Sequence, residues 1–143
     1  MDKTTQSLRT ILKQAGFSAT KQRQQIFDLL KDQEPLSMHQ LVQRATGKMD
    51  RASVYRTISL FERLGILDRL NIGWKYKLEL SDKFAQHHHH LTCLNCHKIT
   101  PINAAKLEAI IAAIGAEQHF TPTEHQIEIQ GYCVGCKIRL VVV

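Results

Sequence analysis

The chain has 143 residues, of which 43% are hydrophobic, and carries a formal net charge of +6. This length fits one ordinary domain or two small ones, and the apolar content is enough for a packed core, which excludes an unfolded chain. The start MDKTTQSLRT lacks the apolar region of a secretory signal, and there is no run of about 18 apolar residues to span a bilayer. We therefore expect a cytoplasmic protein with no membrane partner.

The positive charge is confined to the N-terminal part. Residues 1–80 carry 14 Lys and Arg against 8 Asp and Glu, whereas residues 81–143 carry 5 of each kind. The second part instead holds all four cysteines and seven of the eight histidines. We expect two domains with these bounds, one basic and one rich in metal ligands. Two explanations account for the charge equally well: a solvated surface that favours solubility, or a polyanionic partner.

Three short amphipathic helices are predicted at the start of the basic part. The first covers residues 5–16, and the second begins after Thr20. Ser37 and Gln40 form a capping-box pattern before the third, which ends at Gly47.

A fourth helix is predicted over residues 51–65, RASVYRTISLFERLG. Its apolar stripe comprises Val54, Ile58, Phe61 and Leu64. Arg51, Tyr55 and Arg56 lie largely off that stripe. Guanidinium groups suit phosphates or guanine, and a tyrosine ring packs on a thymine methyl group. A solvated helix surface is the alternative role of these three residues.

A two-stranded hairpin is predicted next, with ILDRL and WKYKLEL on either side of the turn NIG. Trp74 and Tyr76 are expected to cover the helical core from this hairpin. Helices followed by such a hairpin are typical of a winged helix-turn-helix, in which one helix reads the major groove of DNA.

Two Cys-x-x-Cys pairs carry the strongest metal signal. Cys93 and Cys96 form the first pair, and 36 residues separate it from Cys133 and Cys136. Two such knuckles close a tetrahedral four-thiolate site, which suits zinc and leaves no open position for catalysis. Disulfides are disfavoured in a reducing cytoplasm, and unrelated buried thiols do not account for two matching spacings. We expect a structural Zn(II) that contributes folding free energy.

Four consecutive histidines lie directly before the first pair. Successive side chains on a strand point to opposite faces, so an extended run directs His87 and His89 to one side and His88 and His90 to the other. One run can then serve two separate sites. A polar edge strand without a ligand is the alternative.

Two further groups are candidates for a site with this run. Asn103 is predicted to cap a helix over residues 104–115, in which Glu108 borders the apolar stripe. His125 precedes the predicted strand QIEIQ and shares the parity of its isoleucines, so it points to the buried side. The nitrogen and oxygen set suited to Zn(II), Fe(II) or Mn(II) is then His87, His89, Glu108 and His125. The alternative roles are a solvated charge at the edge of the helix for Glu108 and a hydrogen-bonded core histidine for His125. The last three residues, all valines, are predicted to be a strand end or a frayed tail.

Together these motifs resemble the Fur family, the bacterial metal-responsive repressors that include iron, zinc, manganese and peroxide sensors. The matching pieces are the T-x-x-R of Thr20 and Arg23, the S-V-Y-R of residues 53–56, the H-H-H-H-L-x-C-x-x-C of residues 87–96, and a later H followed by G-x-C-x-x-C. Their combination is specific and extends over almost the whole chain. The resemblance implies an α+β fold: an N-terminal winged helix-turn-helix domain that binds DNA, then a small α/β dimerisation domain with a four-cysteine zinc site. It also implies a homodimer on a pseudo-palindromic operator.

The resemblance assigns roles by position. It implies DNA contacts from Tyr55 and Arg56, and it makes four neighbouring or motif residues further DNA-binding candidates: Arg51, Ser53, Thr20 and Arg23. It makes the histidine and glutamate set the exchangeable regulatory site, with His89 where many iron sensors have aspartate. That difference leaves zinc open beside iron and manganese.

A second family site lies at the hinge between domains and uses the histidine pair that matches His88 and His90. Pro35 stands where the N-terminal histidine of that site is expected, and Pro101 replaces one acid. Glu79 is the remaining candidate for the other acid. The hinge site is therefore incomplete, uses other ligands, or is absent.

The sequence predicts a metal-dependent, DNA-binding transcriptional repressor of metal-uptake or oxidative-stress genes, without enzymatic activity. In this mechanism the regulatory ion favours the domain arrangement that fits DNA. Two alternatives belong to other classes: a zinc-ribbon module that binds RNA or a protein, and a small zinc hydrolase with Glu108 as general base. The hydrolase is disfavoured because the chain has no HExxH motif.

Overall fold

The computed structural model describes residues 3–141. The chain divides into two compact units, Met1–Gln86 and His87–Val143. Among the described residues, no helix combines the length and the apolar character that a membrane span requires.

Four helices and a hairpin form the first unit. They are α1 (Lys3–Gln14), α2 (Lys21–Leu30), α3 (Met38–Ala45), α4 (Arg51–Arg63), β1 (Leu67–Ile72) and β2 (Lys75–Leu80). The predicted winged helix-turn-helix order is confirmed. The core of this unit is formed by side chains from every one of these elements, among them Leu8, Phe27, Leu41, Phe61 and Leu78.

Side chains fix where these helices begin. The Thr20 hydroxyl accepts a hydrogen bond from the Arg23 backbone N–H and caps α2. Ser37 and Gln40 form the predicted reciprocal box at the start of α3, with both hydrogen bonds present. Each cap satisfies a backbone donor that the first turn of a helix leaves unpaired.

The hairpin turn differs from the prediction. β1 and β2 pair as far as Ile72 with Lys75, so Asn71 and Ile72 belong to the strand, and the turn is Gly73–Trp74. Gly73 has a φ of +58°, which a two-residue hairpin turn requires and glycine adopts without strain. Trp74 is 88% exposed and therefore does not cover the core, whereas Tyr76 packs against it.

The second unit combines a three-stranded sheet with two helices. Its elements are β3 (His89–Cys93), β4 (Ile99–Ile102), α5 (Ala105–Glu117), β5 (Glu128–Gly131) and α6 (Val134–Val141). The strand order is β4-β3-β5, with β3 antiparallel to β4 and parallel to β5. The sequence did not predict β4 or α6. Val141 ends α6 instead of a strand, and residues 142 and 143 lie outside the described part.

The predicted ends of α5 are wrong. Its N-cap is Ala104, without a side-chain hydrogen bond, so Asn103 does not cap it. The helix continues through Gly115 to Glu117. A Cβ at Gly115 would lie 2.7 Å from both the Phe120 carbonyl oxygen and Pro122 Cδ. Gly115 is therefore required by the segment that folds back over the helix, and it does not terminate the helix.

Substituting Gly115 by alanine should destabilise the protein. The added methyl group overlaps backbone and proline atoms, and such overpacking costs about 1–3 kcal/mol, more than the gain of about 1 kcal/mol in helix propensity. Thermal unfolding at fixed protein concentration measures the change. Gly135→Ala in α6 is the control, because its Cβ would meet nothing within 4 Å. Equal stability of both variants would show that the contact is unimportant.

Candidate metal centres and DNA-binding face

Parallel pairing brings the two cysteine pairs together. Cys93 is the last residue of β3 and pairs with Gly131 at the end of β5, so the segments after both strands leave the same end of the sheet. The four Sγ atoms lie within 4.8 Å of one another, and Cys96 Sγ is 3.8 Å from Cys133 Sγ. A tetrahedral zinc with Zn–S bonds of about 2.3 Å separates its sulfurs by about 3.8 Å. The predicted four-cysteine cluster therefore forms and fits structural zinc.

Hydrogen bonds prepare the sulfurs for a cation. The backbone N–H of Cys133 donates to Cys93 Sγ at 3.4 Å and, with the backbone N–H of Cys96, lowers the pKa of Cys93 to about 6. The backbone N–H of Lys98 lowers the pKa of Cys96, but the neighbouring thiols, Cys93 foremost, and burial outweigh it and raise that pKa to about 11. The Cys93 thiol therefore ionises easily. A second thiolate at Cys96 is unfavourable beside it until a cation compensates the negative charge.

The second unit has little other core. Of its described residues, the buried hydrophobic ones are Cys93, Ile99 and Cys136, and two of these three are thiol ligands. So few buried side chains provide little hydrophobic stabilisation. The four-sulfur centre is therefore the main element that joins the sheet to α6.

The predicted nitrogen and oxygen set also comes together. The Nε2 atoms of His89, His125 and His87 lie 2.5, 3.2 and 3.3 Å from Glu108 Oε1. His87 Nε2 is 3.0 Å from His125 Nε2. His89 is 2% exposed and the other three groups are partly buried, so the cluster is accessible from one side.

Three separate segments supply this cluster. His87 and His89 come from the start of β3, Glu108 lies in the first turn of α5, and His125 lies in the segment before β5, which begins at Glu128 rather than at residue 126. Hydrogen bonds from His89 and then His125 lower the pKa of Glu108, so its carboxylate is charged. In their neutral form the three imidazoles each offer a nitrogen lone pair, and all three Nε2 atoms lie within 3.3 Å of that charged oxygen. Converging lone pairs of this kind fit a divalent cation.

The remaining two histidines lie on the other side of the strand. The His88 and His90 rings are 4.6 Å apart, and His90, which is buried, pairs across the sheet with Pro101 and Glu128. This alternation agrees with the strand geometry used in the prediction. Glu79 lies on β2 of the first unit, and its participation in a hinge site stays a prediction.

The candidate DNA-binding residues lie on the first turns of α4. Tyr55 is 41% exposed, and Arg51 Nη2 donates to its hydroxyl at 3.3 Å while the guanidinium covers the ring. Asp50 caps the helix by accepting from the backbone and side chain of Ser53, and these bonds lower the pKa of Asp50. Ser53 also accepts from Arg56 at 3.0 Å. Ser53 therefore positions the basic face, and an aspartate before RASV could have revealed the cap.

Thr20 and Arg23 have structural contacts at the start of α2. Thr20 is the N-cap, and the Arg23 guanidinium donates to the Ser18 carbonyl and lies 5.4 Å from the centre of the Phe17 ring. Arg63 lies on the same ring at 5.6 Å. A DNA contact from Thr20 or Arg23 stays a prediction.

Known proteins resemble this chain over most of its length. The model of the ferric uptake regulator family matches residues 14–130. The Ferric uptake regulation protein of Escherichia coli K12 is 34% identical over 131 residues, which cover 87% of this chain and 86% of that protein. The ferric uptake regulator structure from Vibrio cholerae has a TM-score of 0.71 at 29% identity and covers 87% of this chain and 98% of that one. The Helicobacter pylori structure, with a TM-score of 0.79 at 22% identity and coverage of 94% and 91%, is similar in fold.

Losing the sulfur centre should unfold the second unit. Cys136→Ser leaves three thiolates, so zinc binds weakly and residues 87–143 lose the main stabilisation of their fold. Hydrogen exchange should show lost protection there, with helices α1–α4 still protected, and metal analysis should show less zinc per chain than in the unmodified protein.

Asn95→Ala is the matched control for this experiment. It removes the amide that donates to Cys136 Sγ at 3.3 Å and should weaken zinc about 10–100-fold while the fold persists. Full protection of residues 87–143 in zinc-free Cys136→Ser protein would contradict a structural role.

Proposed function

This chain belongs to the ferric uptake regulator family of metal-dependent transcriptional repressors, and we propose how its own residues perform that function. A divalent ion held by His87, His89, Glu108 and His125 switches on the binding of duplex DNA by a homodimer. The observation that carries this proposal is the convergence of three imidazole nitrogens on one carboxylate oxygen.

The donor types separate this site from the sulfur centre. Four thiolates hold zinc tightly and leave no position open, which suits a permanent structural ion. Imidazole and carboxylate donors accept Fe(II), Zn(II) and Mn(II) and bind each less tightly than four thiolates bind zinc, which suits an ion that exchanges with its cellular supply. The lowered pKa of Glu108 means that this ligand is already ionised when the metal arrives.

The ion acts by joining segments that are distant in sequence. β3, the first turn of α5 and the segment before β5 each contribute donors, so an occupied site fixes their relative positions. An ion shifts the protein toward the DNA-binding arrangement only as far as it binds that arrangement more tightly. Metal affinity and DNA affinity must therefore be coupled in both directions.

The basic face of α4 supports DNA as the ligand. Arg51 and Arg56 present guanidinium groups suited to phosphate oxygens or guanine, and Tyr55 presents a ring suited to a thymine methyl group. A two-fold homodimer places two such faces on a pseudo-palindromic operator. Such a regulator works at the chromosome, in the cytoplasm, and metal-uptake or oxidative-stress genes are its proposed targets. Two alternatives were a zinc-ribbon module and a zinc hydrolase. Neither accounts for both the family membership of the chain and the basic face of α4.

Exposed apolar side chains support the homodimer. In the described part of the second unit they include Ile110 and Ile114 on α5, Ile129 on β5, and Val134 and Ile138 at α6. A stable monomer rarely exposes so many apolar groups together, and β5 is also an edge strand. The apolar stripe predicted on α5 is thus largely uncovered within one chain.

A metal titration tests the regulatory site. The probe is a duplex selected from random sequences by the loaded protein, and binding is compared for Fe(II), Zn(II) and Mn(II) with the thiolate zinc retained. His89→Ala should weaken metal binding at least about 100-fold, because it removes the buried ligand, and should leave DNA binding unresponsive to added metal.

His119→Ala is the matched control, since this histidine lies in the same unit but in none of the donor clusters found among the described residues. It should respond to metal like the unmodified protein. Equal operator affinity with and without the regulatory ion would refute the proposed switch.

A charged substitution pair tests the homodimer. Ile110→Glu combined with Ile114→Glu places two carboxylates on the exposed apolar face of α5 and should raise the dimer dissociation constant at least about 100-fold. Sedimentation equilibrium measures it. Tyr55→Ala is the control that should stay dimeric while losing operator affinity. A double variant that remains a dimer would place the interface elsewhere.

A further inference from the structure

Residues 81–86, which we call the connector, lead from the first unit to the second and begin with contacts to the first. Ser81 is buried and directly follows β2. Its backbone N–H donates to the Ile66 carbonyl oxygen at 3.0 Å, and its hydroxyl donates to the Gly65 carbonyl oxygen at 2.9 Å. Both acceptors lie in the short loop between α4 and β1. The connector is therefore attached at the end of the helix that carries Tyr55.

A turn then directs Phe84 back onto the core. The backbone N–H groups of Phe84 and Ala85 both donate to the Ser81 carbonyl oxygen, at 2.9 and 3.2 Å. The Phe84 ring packs edge to face on the fully buried Phe27, with the ring centres 5.0 Å apart and the ring planes at 76°. This is a preferred geometry for aromatic pairs. Because Phe27 lies on α2, the connector has a second attachment, on a second helix.

The chain between this attachment and the proposed regulatory site is short. Two exposed residues, Ala85 and Gln86, separate Phe84 from His87. The three peptide steps from Phe84 to His87 span at most about 11 Å. All four proposed regulatory ligands lie in the second unit, from His87 onward. An ion there affects DNA binding only if the change is carried to the first unit, and the covalent route passes through this stretch.

The contacts of the connector decide how well that route transmits a change. A flexible chain absorbs the movement of one domain by changing its own backbone dihedral angles, so the neighbouring domain is not reoriented. The hydrogen bonds of Ser81 and the packing of Phe84 remove much of this freedom. A displacement of His87 is then passed to α2 and to the end of α4.

We propose that Phe84 and Ser81 are positioning residues that transmit occupancy of the regulatory site to the DNA-binding unit, because they attach the connector to α2 and to the end of α4. Neither residue touches the ion or the duplex in this mechanism. Their effect is on the coupling free energy between the two binding events. The inference rests on the proposed function and assigns the residues through which its regulation acts.

The experiment measures the coupling ratio, which is the duplex dissociation constant without the regulatory ion divided by that with it. Full-length protein that retains its thiolate zinc is titrated with the selected duplex, using whichever of Fe(II), Zn(II) and Mn(II) supports the tightest binding. In Phe84→Ala the ratio should fall toward one by about fivefold or more, and in Ser81→Ala by about twofold, because the backbone hydrogen bond of Ser81 remains.

Metal affinity distinguishes lost transmission from a damaged site. Calorimetric titration of the DNA-free protein should give Phe84→Ala a regulatory metal affinity within about twofold of the unmodified value, since no ligand is changed. The gain in metal affinity that the duplex confers should fall by the same factor as the coupling ratio, because coupling is reciprocal. Loss of metal binding by DNA-free Phe84→Ala protein would contradict a role in transmission.

Two further variants separate transmission from stability. Phe84→Ala also removes packing from the core of the first unit, so Ile11→Ala on α1 is the matched control, since it truncates another partly buried side chain against the same core. It should keep the coupling ratio of the unmodified protein. Phe84→Leu retains an apolar side chain and should keep most of the ratio. An equal reduction in Ile11→Ala and Phe84→Ala, compared at similar thermal stability, would overturn the proposal.

An insertion tests the connector without changing the core. Two glycines placed between Ala85 and Gln86 lengthen the chain before His87 while Ser81 and Phe84 keep their contacts. The coupling ratio should fall as it does in Phe84→Ala, and the stability of the first unit should not change. This variant decides the question if Phe84→Ala does not fold. A coupling ratio equal to that of the unmodified protein would overturn the proposal.

The unmodified protein distinguishes the two possible failures. If its duplex affinity rises with the regulatory ion and the Phe84→Ala and insertion variants respond equally, the proposed function stands and the role of the connector is wrong. If its duplex affinity does not respond to the ion, the proposed function fails and this inference fails with it.

Discussion

The parallel pairing of β3 with β5 is the constraint on which both clusters of metal-ligating side chains depend. It sets Cys93 opposite Gly131 and His90 opposite Glu128, so the segments at both ends of these strands lie side by side. One end of the pair gathers the four sulfurs, and the segments that enter the other end bring His125 to His89. A parallel pair needs a long crossover, and here β4 and α5 lie in that crossover, which is how Glu108 of α5 reaches the same place.

The two units are stabilised by different interactions. The first has a conventional core in which Phe27, Phe61 and their neighbours are fully buried, so its fold does not require a ligand. The second has few buried side chains, exposed isoleucines and clustered metal-ligating groups, so hydrophobic burial alone contributes little to its stability and a bound structural zinc contributes more. This difference explains how occupancy of a metal site can affect the second unit while the first keeps its shape.

The side chains of the first unit that we propose contact DNA are held by short, local contacts. Asp50 caps α4 through Ser53, and Ser53 in turn accepts from Arg56. Arg51 lies on the Tyr55 ring. Such contacts limit the number of side-chain conformations in the free protein, so less conformational entropy is lost when DNA binds.

Local patterns in the sequence determined the helices of the first unit, the capping residues Thr20 and Ser37, the alternation of the histidine run and the four-cysteine set. Each depends on spacings of a few residues, including the spacing within each Cys-x-x-Cys pair, whereas the meeting of the two pairs depends on the pairing of β3 with β5. Tertiary structure alone decided the Gly73–Trp74 turn, the extension of α5 beyond Gly115, the formation of β4 and α6, and the exposure of the α5 stripe. These features depend on strand register and on chain segments that return from far along the sequence, which no local pattern records.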